Sequence, residues 1–164
     1  MSATTTDTPE ALLAFLRRHP PYKDMGAFAL DALAKSLKPV TIADGGFILT
    51  PNDMPPDLYI IESGKVQVRQ VGDVTLIDPP LYDLEAGQSF PLAATAARRP
   101  AINSYSAVGE VKCWRLASAD FAALLLSSCE FNRFVLDHVA GLLHEARRQI
   151  EIQFGQRNSD QQTM

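Results

Sequence analysis

The sequence contains few of the residues that usually carry enzyme chemistry or metal binding. Its three histidines, His19, His138 and His144, fall outside the predicted strands, so a metal site inside a β-barrel would lack its ligands. His138 and His144 are six residues apart and do not share a helix face as an i,i+4 metal pair would. The sequence also has no G-x-x-x-x-G-K-[ST] loop, no G-x-G-x-x-G loop and no nucleophile elbow. We therefore expect no catalytic residues, no metal site and no enzyme activity.

Long apolar runs, excess basic charge and cysteine are also scarce. The longest apolar runs, such as residues 121–126, are too short to cross a membrane. A net charge of −4 gives no general attraction to nucleic acid or to an anionic membrane. Cys113 and Cys129 make a weak case for a disulfide, and residues 1–10 do not read as a signal peptide. We predict a cytoplasmic protein with two reduced, buried thiols and without nucleic-acid or membrane partners.

The apolar pattern predicts helices at both ends of the chain and short strands between them. With 164 residues, 46% of them apolar, the chain is most simply one domain. Thr8-Pro9-Glu10 begins a helix, with Thr8 as the candidate cap, and a second helix follows at residues 27–37. Short β-branched or alternating segments follow, separated by Gly, Pro, Asn and Asp, at residues 40–42, 47–49, 58–63, 65–71, 74–78, 102–107 and 111–116. We expect the third and fourth of these to form a hairpin that turns at Ser63-Gly64.

After the strands the pattern becomes helical again. Ser118 can cap one helix, and Ser127-Ser-Cys-Glu130 is a capping-box pattern that opens a long helix ending near Phe154. This order is typical of an α+β fold with a β-roll, or double-stranded jelly-roll, core flanked by N- and C-terminal helices. We predict a flexible N-terminus at 1–8, one domain at 9–154 and a linker or tail at 155–164. Within the domain we place the roll at about 38–117 and the C-terminal helices at about 118–154.

The segment GQSFPLAATAARRPAINSYSA at residues 87–107 resembles the phosphate-binding cassette of cyclic nucleotide-binding domains, G-D-x-F-G-E-L-A-L-L-x-x-x-P-R-A-A-[ST]. GFILTPND and LYIIESGKVQV resemble two further strand motifs of this family. The run FPLAATAARRPA is similar to one bacterial subgroup, signal-transduction proteins in which such a domain precedes paired CBS domains and a nucleotidyltransferase-like domain. The resemblance implies a non-catalytic regulatory module, followed by those domains if the chain is a fragment.

The resemblance also implies a ligand site, but this cassette is degenerate. Leu92 stands where the family has the glutamate that binds the ribose hydroxyl, Ala101 replaces the arginine that pairs with the cyclic phosphate, and Pro91 replaces a glycine. A guanidinium–phosphate contact contributes about 1.5–3 kcal/mol. We therefore expect no tight binding of cAMP or cGMP and no cofactor, with weak nucleotide binding or another small ligand as alternatives. The candidate ligand residues are Phe90, Pro91, Leu92, Ala93, Arg99, Ala101, Ile102, Asn103 and Ser104.

The sequence permits two interpretations of several cassette residues. Arg98 and Arg99 either restore the missing charge or lie on an exposed turn, which we favour. Leu92 and Ala93 either line an apolar pocket or fill the vacated space, and we favour the second because close packing disfavours empty volume. Asn103 is either a ligand contact or a solvated strand residue.

The last helix permits two interpretations. Its apolar residues either close only onto their own domain or pair in parallel in a homodimer, which the family resemblance favours; the candidate dimer residues are Val135, Val139, Leu142, Ala146 and Ile150. Three functions follow: a sensor that has diverged from cyclic nucleotides, a ligand-free dimerisation module, or a DNA-binding regulator. The third needs a helix-turn-helix after the long helix, for which this sequence leaves no room.

Overall fold

The computed structural model describes residues 8–20, 22–50, 53–70 and 81–161. The helices are α1 Pro9–Arg18, α2 Ala27–Ser36, α3 Leu92–Ala97, α4 Ser118–Ser127 and α5 Cys129–Gln161, with a short 3-10 helix at Tyr22–Asp24. The strands are β1 Lys38–Ile42, β2 Phe47–Leu49, β3 Leu58–Gln70, β4 Tyr82–Leu84, β5 Ser89–Phe90 and β6 Asn103–Leu116. The predicted α+β class, with a β-roll core between flanking helices, is confirmed.

All described strand pairs are antiparallel, and the two long strands β3 and β6 form the centre of the sheet. The strand order is β1-β6-β3-β4, with β2 also paired to β6 and β5 also paired to β3. In the central pair, Leu58 lies opposite Leu116 and Gln70 lies opposite Asn103. Because β5 is hydrogen-bonded to β3, the cassette, which contains β5, is anchored directly to the centre of the sheet.

The predicted hairpin at Ser63-Gly64 is wrong, because β3 runs unbroken through these residues. The register with β6 shifts between Ile61 and Ser63 and again between Ser63 and Lys65. Gly64 takes a φ of +97°, and a Cβ at this position would lie 2.6 Å from the carbonyl oxygen of Glu110. The glycine therefore marks a β-bulge in a continuous strand instead of a chain reversal, since a bulge also needs a positive φ and a close backbone approach.

Other strand predictions differ in detail. The predicted strands at 102–107 and 111–116 are one strand, β6, in which Gly109 adopts a φ of +73°. Strands β4 and β5 were not predicted, because they are only three and two residues long and carry no clear alternation. The predicted strand at 74–78 lies outside the described residues.

The strands alternate between two apolar cores. The helical core lies between the sheet and the helices and contains Leu58 and Ile60 of β3 together with Trp114 and Leu116 of β6. The second core, which we call the roll interior, consists of Leu49, Tyr59, Ile61, Val66, Val68, Phe90, Ala101, Tyr105, Ala107, Val111 and Cys113. Successive side chains of a strand point to opposite faces, so β3 and β6 supply both cores.

The helix caps follow the prediction at α1 and depart from it at α4 and α5. The side chain of Thr8 accepts a hydrogen bond from the N–H of Ala11, as predicted. Ser118 does not cap α4; the carboxylate of Asp57 accepts a hydrogen bond from the Ser118 N–H instead. The predicted capping box at α5 is also wrong, because Ser128 accepts from Phe131 N–H and Glu130 reaches across to α2.

Helix α5 extends beyond its predicted end near Phe154 and continues to Gln161. Much of the segment predicted as a linker or tail is therefore helical. Cys129, at the start of α5, is exposed, so the expectation of two buried thiols holds only for Cys113. Within the described ranges, no helix is long and apolar enough to cross a lipid bilayer.

Candidate functional site

The cassette begins with a tight turn that is held by the N-terminal helices. Gly87 has a φ of +87°, and its N–H donates a hydrogen bond to the carbonyl of Ile61 over 2.8 Å. A Cβ on Gly87 would lie 2.5 Å from Cδ2 of His19, the residue after α1. The ring of His19 is itself fixed, because its Nδ1 lies 2.9 Å from the carbonyl oxygen of Phe15. A glycine is therefore required at this position by both backbone conformation and space.

Ser89 and Phe90 form β5, which brings Phe90 into the roll interior. Phe90 stacks between Tyr59, at a centroid distance of 5.6 Å, and Tyr105, at 4.7 Å. Burial raises the pKa of Tyr105 to about 12, and its hydroxyl is hydrogen-bonded to the side chain of Asn103. Three aromatic rings therefore fill the space beside the cassette strand, and the phenol of Tyr105 stays neutral.

Helix α3 follows and turns Leu92 away from these rings. Leu92 is buried in the helical core, whereas Ala93 is exposed. Pro91 is buried and precedes the helix, and its carbonyl accepts hydrogen bonds from the N–H and the side chain of Thr95. Leu92 thus lies in the helical core and Ala93 contacts solvent, so neither side chain fills the space vacated in the roll interior.

Both arginines of the cassette are exposed. Arg98 ends α3 in the left-handed conformation, with a φ of 54°, and its N–H donates to the carbonyl of Thr95. The Arg99 N–H donates to the carbonyl of Ala94 over 3.0 Å. Neither guanidinium forms an ion pair with a carboxylate in the part of the chain that the structure describes. The exposed-turn interpretation matches these positions.

The residues after α3 divide between the interior and the surface. Ala101 is 3% exposed and belongs to the roll interior, whereas Ile102 is 81% exposed. Asn103 and Ser104, at the start of β6, are half-buried. Phe90 and Ala101 therefore share one core, and Leu92 lies in the other.

Charge is absent from the buried part of this site. Apart from tyrosine, tryptophan and cysteine, the one buried polar side chain among the described residues is Thr95, and its hydroxyl donates to the carbonyl of Pro91. The described residues also contain no group of histidine, cysteine, aspartate and glutamate side chains able to hold a metal ion. The buried surface is apolar and aromatic, and it offers no cation for a phosphate.

Sequence reasoning missed a chain of aromatic residues that links the cassette to α5. Tyr22, in the 3-10 helix, is hydrogen-bonded to the side chain of Ser89 in β5, and burial raises its pKa to about 12. Its ring packs 5.6 Å from that of Phe134, which stacks on His138 at 6.1 Å. These residues are far apart in sequence and form no local motif, so no sequence pattern predicts that they meet.

The predicted dimer residues of α5 differ in their environments. Val135 is buried in the helical core, and Val139 packs partly against it. From Ala140 to Ile150 every residue is exposed, including Leu142, Ala146 and Ile150. The first part of the helix therefore closes onto its own domain, and the second part extends away from both cores.

Comparison with known proteins agrees with this geometry. The sequence profile of the family described as "Cyclic nucleotide-binding domain" matches residues 39–128, more than half of the chain. The regulatory subunit of a cAMP-dependent protein kinase from Blastocladiella emersonii is 28% identical over 112 residues, which are 68% of this chain and 28% of that protein. The chain therefore spans less than a third of that relative.

Solved structures share the fold at low identity. The catabolite activator protein of Thermus thermophilus matches with a TM-score of 0.66 and 19% identity, covering 85% of this chain and 61% of its own. The regulatory domain of Toxoplasma gondii PKA, solved with cAMP, matches with a TM-score of 0.69 and 22% identity, covering 85% of this chain and 51% of its own. The sensor domain of the transcriptional regulator DNR from Pseudomonas aeruginosa matches with a TM-score of 0.70 and 16% identity, covering 87% of this chain and 93% of its own. Together with the profile match, these findings show that the chain belongs to the cyclic nucleotide-binding domain family.

Proposed function

We propose that this domain is a non-catalytic regulatory module of the cytoplasm that does not bind cAMP or cGMP tightly. Its signal is either a different small ligand or the association of two copies. The observation that carries the proposal is the burial of Ala101, at the position of the family's phosphate-binding arginine, inside an apolar and aromatic core.

Among the described residues, no other cation takes the place of the missing arginine. The methyl group of Ala101 cannot pair with a phosphate, and Arg98 and Arg99 are exposed on the turn after α3. Truncating one partner of a buried charge pair costs about 2–5 kcal/mol, which is one to several factors of ten in affinity. A cyclic phosphate placed here would lose its water without gaining a charged partner.

The sugar contact is lost for a separate reason. Leu92 occupies the position of the family's glutamate, and its side chain packs into the helical core instead of facing the roll interior. Pro91 has no N–H to donate. The residues present therefore do not fit a cyclic nucleotide at either its phosphate or its ribose.

Isothermal titration of the chain with cAMP and with cGMP tests this proposal. We expect no saturable binding at nucleotide concentrations up to about 100 μM. Ala101→Arg is expected to strengthen cAMP binding, and Ala97→Arg, which adds the same charge at an exposed position of α3, is not. Binding of either nucleotide to the unmodified chain at low micromolar concentration or tighter would contradict the proposal, whether or not the arginine variant folds.

We also propose that the module forms a homodimer through α5. The 33-residue helix is about 50 Å long, and its second half leaves the domain with an exposed apolar stripe. Leu136, Leu143 and Ile150 are exposed and recur every seven residues, and Val139 and Ala146 fall between them at the alternating three- and four-residue spacing of a coiled-coil seam. Two copies in parallel would place like residues against each other and bury this stripe.

Light scattering coupled to size exclusion tests the dimer. We expect the mass of two chains for the unmodified protein and of one chain for Leu143→Glu, because a carboxylate in the seam would face its own copy. Leu126→Glu is the matched control, since Leu126 is 91% exposed on α4 and lies outside the seam. A single-chain mass for the unmodified protein at high concentration would contradict this part of the proposal.

A dimerisation module without a ligand is the second candidate function. It is favoured by the stacking of Phe90 against Tyr105, because these rings and Ala101 occupy the same core. A small-molecule library that never raises the melting temperature would support this second function. A compound that raises it in a concentration-dependent manner, and loses its effect in Tyr105→Ala, would support the sensor.

The signal is proposed to leave the module through α5 toward domains that follow it. The similarity of FPLAATAARRPA to the bacterial subgroup suggests paired CBS domains and a nucleotidyltransferase-like domain as those neighbours. The natural coding sequence downstream of residue 164 decides this point directly, and a helix-turn-helix there would instead support a DNA-binding regulator.

A further inference from the structure

A concave pocket lies outside the cassette, where β2, the start of β3 and the end of β6 meet. Its volume is about 380 Å³, within the range of small-molecule sites. Ile48 and Leu49 of β2, together with Met54 and Pro55, belong to the lining, but the surface that the pocket exposes is mostly polar. The polar part of the lining is formed by Asp53, Asp57, Tyr59 and Arg115.

Some charged groups of this pocket already have partners in the domain, and one is free to contact a ligand. Arg115 Nε lies 3.5 Å from Oδ2 of Asp57, and Oδ1 of Asp57 accepts a hydrogen bond from the N–H of Ser118 over 2.8 Å. Both oxygens of Asp57 are thus engaged, and its charge offsets that of Arg115. Asp53 uses Oδ2 to accept a hydrogen bond from Thr50 N–H over 2.9 Å, while its Oδ1 has no hydrogen-bond partner among the described residues. The remaining charge of the lining is therefore the single negative charge of Asp53.

Tyr59 supplies a second free polar atom. Its ring is buried and stacked on Phe90, and its hydroxyl forms no hydrogen bond with any residue that the structure describes. Burial is the main cause that raises its pKa; the carboxylate of Asp57 raises it further, the guanidinium of Arg115 lowers it, and the carboxylate of Asp53 adds a smaller rise. The phenol is thus neutral, and its oxygen can accept a hydrogen bond in the pocket that Asp53 also lines.

We propose that this pocket binds a small organic cation that carries an ammonium or guanidinium group. The free oxygens of Asp53 and Tyr59 would accept hydrogen bonds from the cationic group, within a lining whose exposed surface is mostly polar. Phosphates are disfavoured because the one cation of the lining is already paired with Asp57. This inference does not depend on the ligand of the cassette. Because Asp57 caps α4 and Tyr59 stacks on Phe90, the pocket adjoins both the C-terminal helices and the cassette.

Titration of the full chain with agmatine and with putrescine tests the proposal, with 1,4-butanediol as the uncharged control. We expect saturable binding of at least one of the two cations and none of the diol, with amide chemical-shift changes centred on Asp53, Tyr59 and Arg115. Asp53→Asn keeps an oxygen for the Thr50 N–H and removes the charge, so it should weaken binding at least about tenfold.

Asp83→Asn is the matched control, because Asp83 is a half-exposed carboxylate on β4, 3.8 Å from Lys65, and should leave the affinity unchanged. If Asp53→Asn does not fold, Tyr59→Phe takes its place, since it removes only the free hydroxyl and should also weaken binding. The proposal is overturned if neither cation binds saturably, if the folded variant binds as well as the unmodified chain, or if the shifts centre on another part of the domain.

Discussion

The carboxylate of Glu130, in the first turn of α5, accepts a hydrogen bond from the backbone N–H of Gly26, the residue before α2. No side chain of its own segment caps α2, so a residue 104 positions later in the chain does so. The contact ties the start of the last helix to the N-terminal helices. A carboxylate at a helix N-terminus is favoured by the orphan N–H groups and by the helix dipole.

Glu130→Ala is expected to destabilise the domain by about 1 kcal/mol, because it removes this cap. Glu130→Gln retains an acceptor oxygen and should therefore lower the free energy of unfolding by less than Glu130→Ala does. Urea unfolding followed by the fluorescence of Trp114, the single tryptophan, measures the difference. Glu151→Ala is the control, since Glu151 is an exposed carboxylate paired only with Arg147 on the same helix. If Glu130→Ala and Glu151→Ala lower the free energy of unfolding equally, the contact with Gly26 does not stabilise the domain.

Gly64→Ala is expected to destabilise the domain by more than about 2 kcal/mol. The substitution combines a positive φ of 97° with a Cβ only 2.6 Å from a backbone oxygen of the neighbouring strand. Gly109→Ala provides the comparison, because Gly109 also has a positive φ but no heavy atom within 4 Å of the added Cβ. It should cost only about 1 kcal/mol. Equal unfolding free energies for the two variants would rule out the close approach at the bulge.

Tyr22→Phe is expected to cost about 1 kcal/mol, because it removes the hydrogen bond to Ser89 in a fully buried position. Tyr82→Phe is the matched control, since Tyr82 is half-exposed on the edge strand β4 and should change stability by less than about 0.5 kcal/mol. The double variant Tyr22→Phe with Ser89→Ala measures the coupling. A coupling energy near zero would contradict a hydrogen bond between the cassette strand and the 3-10 helix.

The stability of the domain is expected to depend on His138 in mildly acidic solution. Burial lowers the pKa of His138 below its ordinary value of 6.5, so the unfolded chain binds this proton more readily than the folded one. Stability should therefore be full above pH 6.5 and decline as the pH falls through the lowered pKa of the folded state. Unfolding curves from about pH 5 to about pH 8 measure the slope.

His138→Gln should remove that part of the pH dependence, and His144→Gln should not, because His144 lies on the exposed part of α5. An NMR titration that finds the pKa of His138 at 6.5 would remove the effect, and one that finds it above 6.5 would reverse its sign.

The cassette shows where sequence reasoning succeeds and where it stops. The sequence reveals the substitutions at positions 92 and 101, because they fall within an ungapped local motif. It does not predict that Leu92 and Ala101 lie in different cores, because the direction of Leu92 depends on how α3 packs against α4 and α5. The aromatic stack had the same limit, since Tyr59, Phe90 and Tyr105 come from three different strands.

The glycine at position 64 illustrates a second limit. A Gly in a turn-like dipeptide between alternating segments indicates a positive φ, which is correct. Both a hairpin turn and a β-bulge meet that requirement, and only pairing with β6 on both sides selects the bulge.

The sequence by itself determined the helical ends and the strand-rich centre, the family and the absence of the ligand-binding charges, because periodicity, turn residues and local motifs are properties of neighbouring residues. The tertiary structure decided which core each side chain joins, which carboxylate caps which helix, and which polar atoms remain free in the pocket beside β2. These are contacts between residues that are distant along the chain, and their free energies exist only once the strands and helices are packed together.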